Sequence, residues 1–427
     1  MIANHHPRRL ETSLDQCSSV PFMRPQLGET EISEVVETLR SGWLTTGPKV
    51  KRFEENFARA VRAEHAVAVN SCTAALHLAV EALGLCSGQA VLVPTMTFAA
   101  TAEVIVYKMA VPILVDCDPV TGNMDLADAE RKIEAVRTGK LAFVADKDVE
   151  IVGIMPVHVG GYVMDIDAVK DFAREHNLWI VEDAAHAFPA AWRRDIESAW
   201  QFCGENTAAV TCFSFYANKT ITTGEGGMAV TNNQIVAERM RLMSLHGLSR
   251  DAWKRYTEKG NWDYQITAPG YKYNLTDIAA AIGIHQLARA EEMRREREKI
   301  ARIYLQKLAH LDEIELPLDD INRLHAWHLF PLRLNLAQLS ISRNDFIEEL
   351  KRNGVGCSVH WRPLHLHPYY CEKLGWCDED LPVATQLWSQ LISLPIFPGM
   401  RAQEIEHIIK TVELICTANS KKSFLAA

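Results

Sequence analysis

One lysine stands in a polar turn between two apolar runs, Phe213-Ser-Phe-Tyr-Ala-Asn-Lys219-Thr-Ile-Thr-Thr-Gly224-Glu-Gly226-Gly227-Met228-Ala-Val-Thr231. The stretch reads as a strand, a turn, a glycine segment and a second short strand. An amine held there against an aldehyde, in surroundings dry enough to favour its neutral form, is a nucleophile. A glycine-rich hairpin with a solvent lysine has the same local pattern. Upstream, Leu178-Trp-Ile-Val-Glu182-Asp183 ends an apolar run on a carboxylate. The carboxyl end of a parallel strand is where open α/β sheets bind ligands. A carboxylate at that place could keep a pyridine nitrogen protonated and so make the ring an electron sink. Alternatively, Asp183 simply caps the Ala-Ala-His-Ala segment after it. A third stretch, Val69-Asn-Ser71-Cys72-Thr73-Ala74-Ala75-Leu76, is a strand followed by small and hydroxyl residues that open an apolar helix. Free N–H groups and the helix dipole at such a start attract phosphate, although Ser71 or Thr73 could equally be a plain N-cap. Lysine, carboxylate and phosphate cradle together point to pyridoxal 5′-phosphate (PLP).

These residues need a scaffold, and the chain is long enough to supply one. Its 427 residues, 48% of them hydrophobic, suit two domains around a large α/β body. The net charge of −9, spread along the sequence, argues against a nucleic-acid-binding surface. Ten cysteines without a Cys-x-x-Cys pair read as buried thiols of a reducing compartment. The first 20 residues lack the apolar stretch of a signal peptide, and no later run reaches the roughly 20 apolar residues of a membrane span, so a cytoplasmic enzyme is expected.

Apolar runs at Ala66–Val69, Ala90–Val93, Val111–Val115, Ile151–Val157, Leu178–Val181 and Ala208–Phe213 predict strands buried on both faces. Helical spacing lies between them, as in the stripe Ile166, Val169, Phe172, Ala173 closed by Asn177. This βαβ alternation predicts a mostly parallel sheet. Glu29–Leu39 predicts a helix with Ile32, Val35, Val36 and Leu39 on its apolar face, ended at Gly42. A long helix is expected from about Asn274, with Asp277 in its first turn, running on into the charged stretch Arg289–Lys299 as a solvated face. Past about residue 310 shorter α+β units follow, including His328–Leu334 and a helix at Arg343–Lys351 before Gly354. The expected organisation is a polar arm (1–20), a large PLP-binding domain (21–285) and a smaller C-terminal domain (286–427).

Asn-Ser-Cys-Thr-Ala-Ala-Leu-His77, Pro94-Thr-Met-Thr-Phe98, Glu182-Asp-Ala-Ala-His186-Ala, Ser214-Phe-Tyr-Ala-Asn-Lys219, Thr223-Gly-Glu-Gly-Gly-Met228 and Pro269-Gly-Tyr-Lys-Tyr-Asn-Leu-Thr-Asp277 occur in this order. Order and spacing together resemble the DegT-type nucleotide-sugar aminotransferases, a branch of the fold-type I PLP enzymes, from about Pro21 to Cys416. The resemblance implies a mostly parallel seven-stranded sheet between helices and a smaller α+β C-terminal domain. It implies that Lys219 forms the Schiff base, that Asp183 pairs with the pyridine nitrogen and that Phe98 stacks on the ring. His186 stands where the family often has glutamine near the ring hydroxyl. Thr73, Ala74 and Ser214 would hold phosphate, joined by Lys272 of a second subunit in a homodimer with shared sites. Many relatives carry asparagine at that position, so the lysine is a departure. Gly42-Trp43-Leu-Thr-Thr-Gly-Pro48 resembles the family's N-terminal substrate loop, where Trp43 would stack on a base or sugar or else serve the core. His360 and Trp361 fall in a substrate-contacting segment. Cys357, His360, His365, His367 and Cys371 lack the paired spacing and acidic partner of a metal site, and no metal is expected.

The implied reaction moves an amino group from an amino acid, L-glutamate, to a nucleotide-linked keto sugar, with Lys219 as covalent partner and general acid/base. Leu245-His-Gly-Leu248, Asp251-Ala-Trp253 and His325-Ala-Trp-His-Leu329 look most like enzymes that aminate C4 of UDP-linked 4-keto sugars for lipopolysaccharide and other surface glycans. Asn218–Met228 is just as close to GDP-perosamine synthases. Related sugar 3-dehydratases replace the lysine with histidine, and Lys219 disfavours that chemistry. A non-catalytic PLP-binding regulator is the rival of a different class.

Overall fold

The computed structural model describes residues 19–141, 149–205, 207–248 and 265–421; most of the N-terminal arm and the Asp251-Ala-Trp253 motif lie outside them. The main sheet is built from β1 (His65–Val69), β2 (Gln89–Pro94), β3 (Val111–Val115), β4 (Glu150–Ile154) and β5 (Trp179–Asp183). Two short strands, β6 (Ala191–Trp192) and β7 (Gln201–Phe202), precede β8 (Val210–Ser214) and β9 (Gly227–Thr231), which complete it. The seven strands run in the order β1-β9-β8-β5-β4-β2-β3. All are parallel except β9, which pairs antiparallel with both β1 and β8. Their apolar runs fit this position, because two separate apolar clusters cover the two faces of the sheet. Every strand expected from the sequence is present, Val111–Val115 with the bounds expected and the others with shifted ends; the run expected to reach Val157 stops as a strand at Ile154.

The register brings the chemically active segments together. Gly227 of β9 sits opposite Val69 of β1 and Ser214 of β8, and Asp183 of β5 sits opposite Cys212 of β8. Ser71–Thr73, Ser214–Lys219 and Asp183 therefore leave the same edge of the sheet.

A smaller sheet follows, β10 (Ile314–Glu315), β12 (Phe330–Leu334) and β13 (Leu391–Leu394), while β11 (Arg323–Leu324) joins β6 and β7. A third apolar cluster surrounds this part, from Ile300 to Cys416, and takes in Val20, which bridges Val355.

Three helical expectations change. The Glu29–Ser41 helix ends at Gly42 as expected, with φ 74°, but it buries Glu31 and Thr38 and leaves Ile32 and Leu39 exposed. Glu31 is drawn inward by Arg289, Gln286 and the amide of Gly28. The long helix is two helices, Asp277–Ala288 and Ala290–Leu308, broken at Arg289. Its N-cap is Thr276, and Asp277 caps a different helix, accepting from the amides of Gly47, Lys49 and Val50 at the start of Pro48–Val61. The charged stretch Arg289–Lys299 is no uniform solvated face, for Met293, Arg294 and Arg297 within it are buried.

Candidate active site

A cavity of about 600 Å³ opens at that edge of the sheet and is lined by Thr73, Phe98, Asp183, His186, Ser214, Lys219, His360 and Trp361. Eight of the eleven site residues expected from the sequence thus meet in one place.

Asp183 is the buried end of β5. Its Oδ2 accepts from the Thr101 hydroxyl at 2.7 Å and its Oδ1 from the Ala185 amide at 3.1 Å. Burial raises its pKa, opposed by those donors and by Lys219. No cation forms an ion pair with it among the described residues. A dry carboxylate with two donors and no counter-ion is the partner that a protonated ring nitrogen needs.

Lys219 follows β8 in a turn closed by its own amide donating to the Tyr216 carbonyl at 2.9 Å. Burial pulls its pKa down to about 8, against the opposite pull of Cys72 and Asp183. A substantial neutral fraction at physiological pH suits a nucleophilic amine.

At the phosphate end, Ser71 caps the Cys72–Ala82 helix, its Oγ accepting from the Ala74 amide at 3.1 Å. Ala74 itself is buried and does not line the cavity, so the amides left open at this helix start are those of Cys72 and Thr73. The Ser214 hydroxyl accepts from the Tyr216 amide at 3.3 Å and keeps its proton for a ligand. Gly227 explains part of the glycine segment: a Cβ there would lie 2.4 Å from the Ser71 carbonyl oxygen, so only glycine lets β9 pass beneath the cradle.

The opposite wall is aromatic. His186 stacks on Trp361 (4.9 Å, 20°) and packs against His328 at 4.2 Å. Burial, then Lys219 and His360, hold the His186 pKa well below the ordinary range. The neutral ring accepts at Nδ1 from the Gly160 amide at 3.3 Å, which leaves the proton on Nε2. It can therefore donate to a ring hydroxyl, as a glutamine amide would. Phe98, 65% exposed, offers an aromatic face at the rim.

Lys272 and Trp43 do not line this cavity. Tyr271 and Tyr273 stack on each other (5.0 Å, 11°) and both pack on His77, while Lys272 between them is exposed. Trp43 donates to the Thr46 carbonyl at 3.1 Å in a loop tied to Asn274 and Leu275. Three residues absent from the expected site contribute to it: Thr101 through Asp183, His328, and Asn218, whose buried Oδ1 has no hydrogen-bond partner. Asn218 and His328 lay inside recognised motifs, but nothing in their neighbours told which way they face. Of the Cys/His set weighed as a metal site, His360 bonds Ser393, and His365 uses both ring nitrogens on Thr95 and Thr385. The grouping near enough for a metal among the described residues is another, His158, Glu182 and Cys203, where His158 already bonds Glu182 and the Met164 amide.

The cavity fits PLP at each end: an open helix start with two hydroxyls for phosphate, Asp183 for the ring nitrogen, Lys219 for the aldehyde and Phe98 for a ring face. Comparison with known proteins agrees. The model of the DegT/DnrJ/EryC1/StrS aminotransferase family matches residues 25–413. An uncharacterised protein of Methanocaldococcus jannaschii is 43% identical over 405 residues, 94% of this chain and 99% of that protein. The spore coat polysaccharide biosynthesis protein SpsC of Bacillus subtilis is 40% identical over 394 residues, 92% of this chain and 96% of SpsC. Among solved structures, Spr1654 from Streptococcus pneumoniae, assigned as a sugar aminotransferase, superposes in its PLP form with a TM-score of 0.82. It is 32% identical, covering 94% of this chain and 99% of that one. The chain belongs to the DegT/DnrJ/EryC1/StrS aminotransferase family, the PLP-dependent sugar aminotransferases of fold-type I.

Proposed function

We propose that this enzyme takes an amino group from L-glutamate and delivers it to C4 of a UDP-linked 4-keto sugar destined for a surface glycan. The observation that carries the reading is one cavity in which Lys219 faces the buried, uncompensated carboxylate of Asp183. PLP supplies the aldehyde and the electron-withdrawing ring. Lys219 would hold the aldehyde carbon of bound PLP and, as a free amine, would move the proton released from the donor Cα. Asp183 would hold the ring nitrogen positive, and His186 could donate its Nε2 proton to the ring hydroxyl. Trp361, set edge to face against His360, gives the cavity an aromatic wall suited to a sugar or base. The likeness to SpsC, a polysaccharide biosynthesis protein, supports the glycan assignment.

The reading includes a homodimer. Among the described residues lining the cavity Lys219 is the one lysine or arginine, so none of them is left as a fixed cation for the phosphate. Lys272, exposed beside the phosphate helix, would supply it to the neighbouring subunit. It also includes the cytoplasm, supported by cysteines that are all free among the described residues. The test is a pair of half-reactions. L-glutamate alone should bleach the absorbance of the bound aldehyde and release 2-oxoglutarate, and a UDP-linked 4-keto sugar should restore it. Restoration only by a GDP-linked sugar would reassign the nucleotide. No bleaching with any amino acid would sink the reading.

A further inference from the structure

Arg297 is 2% exposed in the Ala290–Leu308 helix, and no carboxylate lies within ion-pair distance among the described residues. Burial lowers its pKa to about 10, which leaves it cationic at neutral pH. A buried cation without an anion is costly, and it persists where its hydrogen bonds hold something in place. Its Nη1 donates to three carbonyls, those of Trp327 (3.3 Å), His328 (3.4 Å) and Ile396 (2.6 Å). Trp327 has φ 49°, a left-handed conformation that a tryptophan adopts only under constraint. The rest of the turn is pinned as well. The Trp327 amide donates to His325 Nδ1 at 2.8 Å, and the Ala326 and Leu329 amides donate to the carbonyls of Gly161 and Gly160. Gly160 in turn donates its own amide to His186. Gly161 cannot hold a side chain, because a Cβ would lie 2.8 Å from both Ala326 Cβ and the His186 carbonyl oxygen. One continuous set of contacts therefore runs from Arg297 to the two imidazoles, 4.2 Å apart, on the cavity wall.

We propose that Arg297 is a positioning residue: by holding the carbonyls of Trp327 and His328 it fixes the left-handed turn that presents His328 to the cavity and, through Gly160, sets the ring of His186. The inference rests on the amino-transfer reading of the cavity. His328 keeps a buried Nδ1 without a partner, so packing alone does not account for its place.

The test uses the PLP-loaded enzyme, its half-reaction with L-glutamate and the absorbance band of the bound cofactor, with thermal unfolding recorded separately. Arg297→Met and His328→Ala should each slow the half-reaction about tenfold, a loss typical of misplaced groups. Both should shift the cofactor band. Because Arg297 acts through the turn that carries His328, the double variant should lose clearly less than the product of the two single losses. Losses that multiply to about a hundredfold, or a wild-type rate and band in Arg297→Met, overturn the proposal. Should Arg297→Met not fold, His325→Ala loosens the same turn from its other side and must show the same non-additivity with His328→Ala; multiplied losses there overturn it equally. If the wild-type enzyme does not react with glutamate, the amino-transfer reading falls, and the band shifts alone then decide the role of Arg297.

Discussion

Thr101→Val removes one hydroxyl and almost no volume, yet it should damage the reaction. Thr101 donates to Asp183 Oδ2 at 2.7 Å where both side chains are buried, and the Ala185 amide serves only Oδ1. Without the hydroxyl, Oδ2 keeps no donor among the described residues. A hydrogen bond to a buried charged group contributes about 1.5–3 kcal/mol. At about 1.4 kcal/mol per factor of ten, the ionised carboxylate loses about 10- to 150-fold in its preference over the neutral acid. The sign follows from which form accepts: Thr101 favours the carboxylate, so its loss pushes the Asp183 pKa further up, beyond what burial already does. A neutral acid does not hold the ring nitrogen positive. The glutamate half-reaction should slow by up to that factor, its acid limb should move to higher pH, and PLP should dissociate more readily. Stopped-flow absorbance across pH and equilibrium dialysis of PLP measure these effects, with thermal unfolding as the check on folding. A half-reaction within about twofold of wild type and an unmoved acid limb would refute the argument that Thr101 maintains the charge of Asp183.

Rebinding of PLP to the apoprotein should speed up with pH and level off near 8, because Lys219 is neutral above the value to which burial lowers it; a rate still climbing at pH 10 would place the amine in water. Lys219→Ala should give no borohydride-reducible link between cofactor and lysine, and such a link on another lysine would reassign the nucleophile. Gly227→Ala should cost about 1–3 kcal/mol in denaturant unfolding and weaken PLP binding, since the added carbon meets backbone, the Ser71 carbonyl oxygen, at 2.4 Å. Lys219→Ala mixed with Lys272→Ala should regain activity, because a mixed dimer holds one site with both lysines intact; confirmed subunit exchange without recovery would remove Lys272 from the partner's phosphate.

The seven strands were legible because strands buried on both faces must be apolar throughout, a property carried by neighbouring residues. Lys219 and Asp183 were legible for a related reason: Asp183 closes a strand and Lys219 stands in the turn that follows one, and the carboxyl edge of a parallel sheet is where a ligand must go. Phe98 and Ser214 were found by motif, and the cavity gathers them. Other features depend on segments far apart in the chain. Thr101 matters only because β5 delivers Asp183 beside it, 82 residues on. The first helix turns Glu31 inward rather than Ile32, since Arg289 and Gln286, more than 250 residues away, satisfy that carboxylate where water cannot. Arg297 sits in a run of charges that reads as a wet surface, and three backbone carbonyls from two distant loops make its burial tolerable. Local sequence decides which backbone a segment prefers and which of its faces is apolar. Whether a polar or charged group can be buried depends on partners that only the folded chain brings within hydrogen-bonding distance, and there the tertiary structure alone decided.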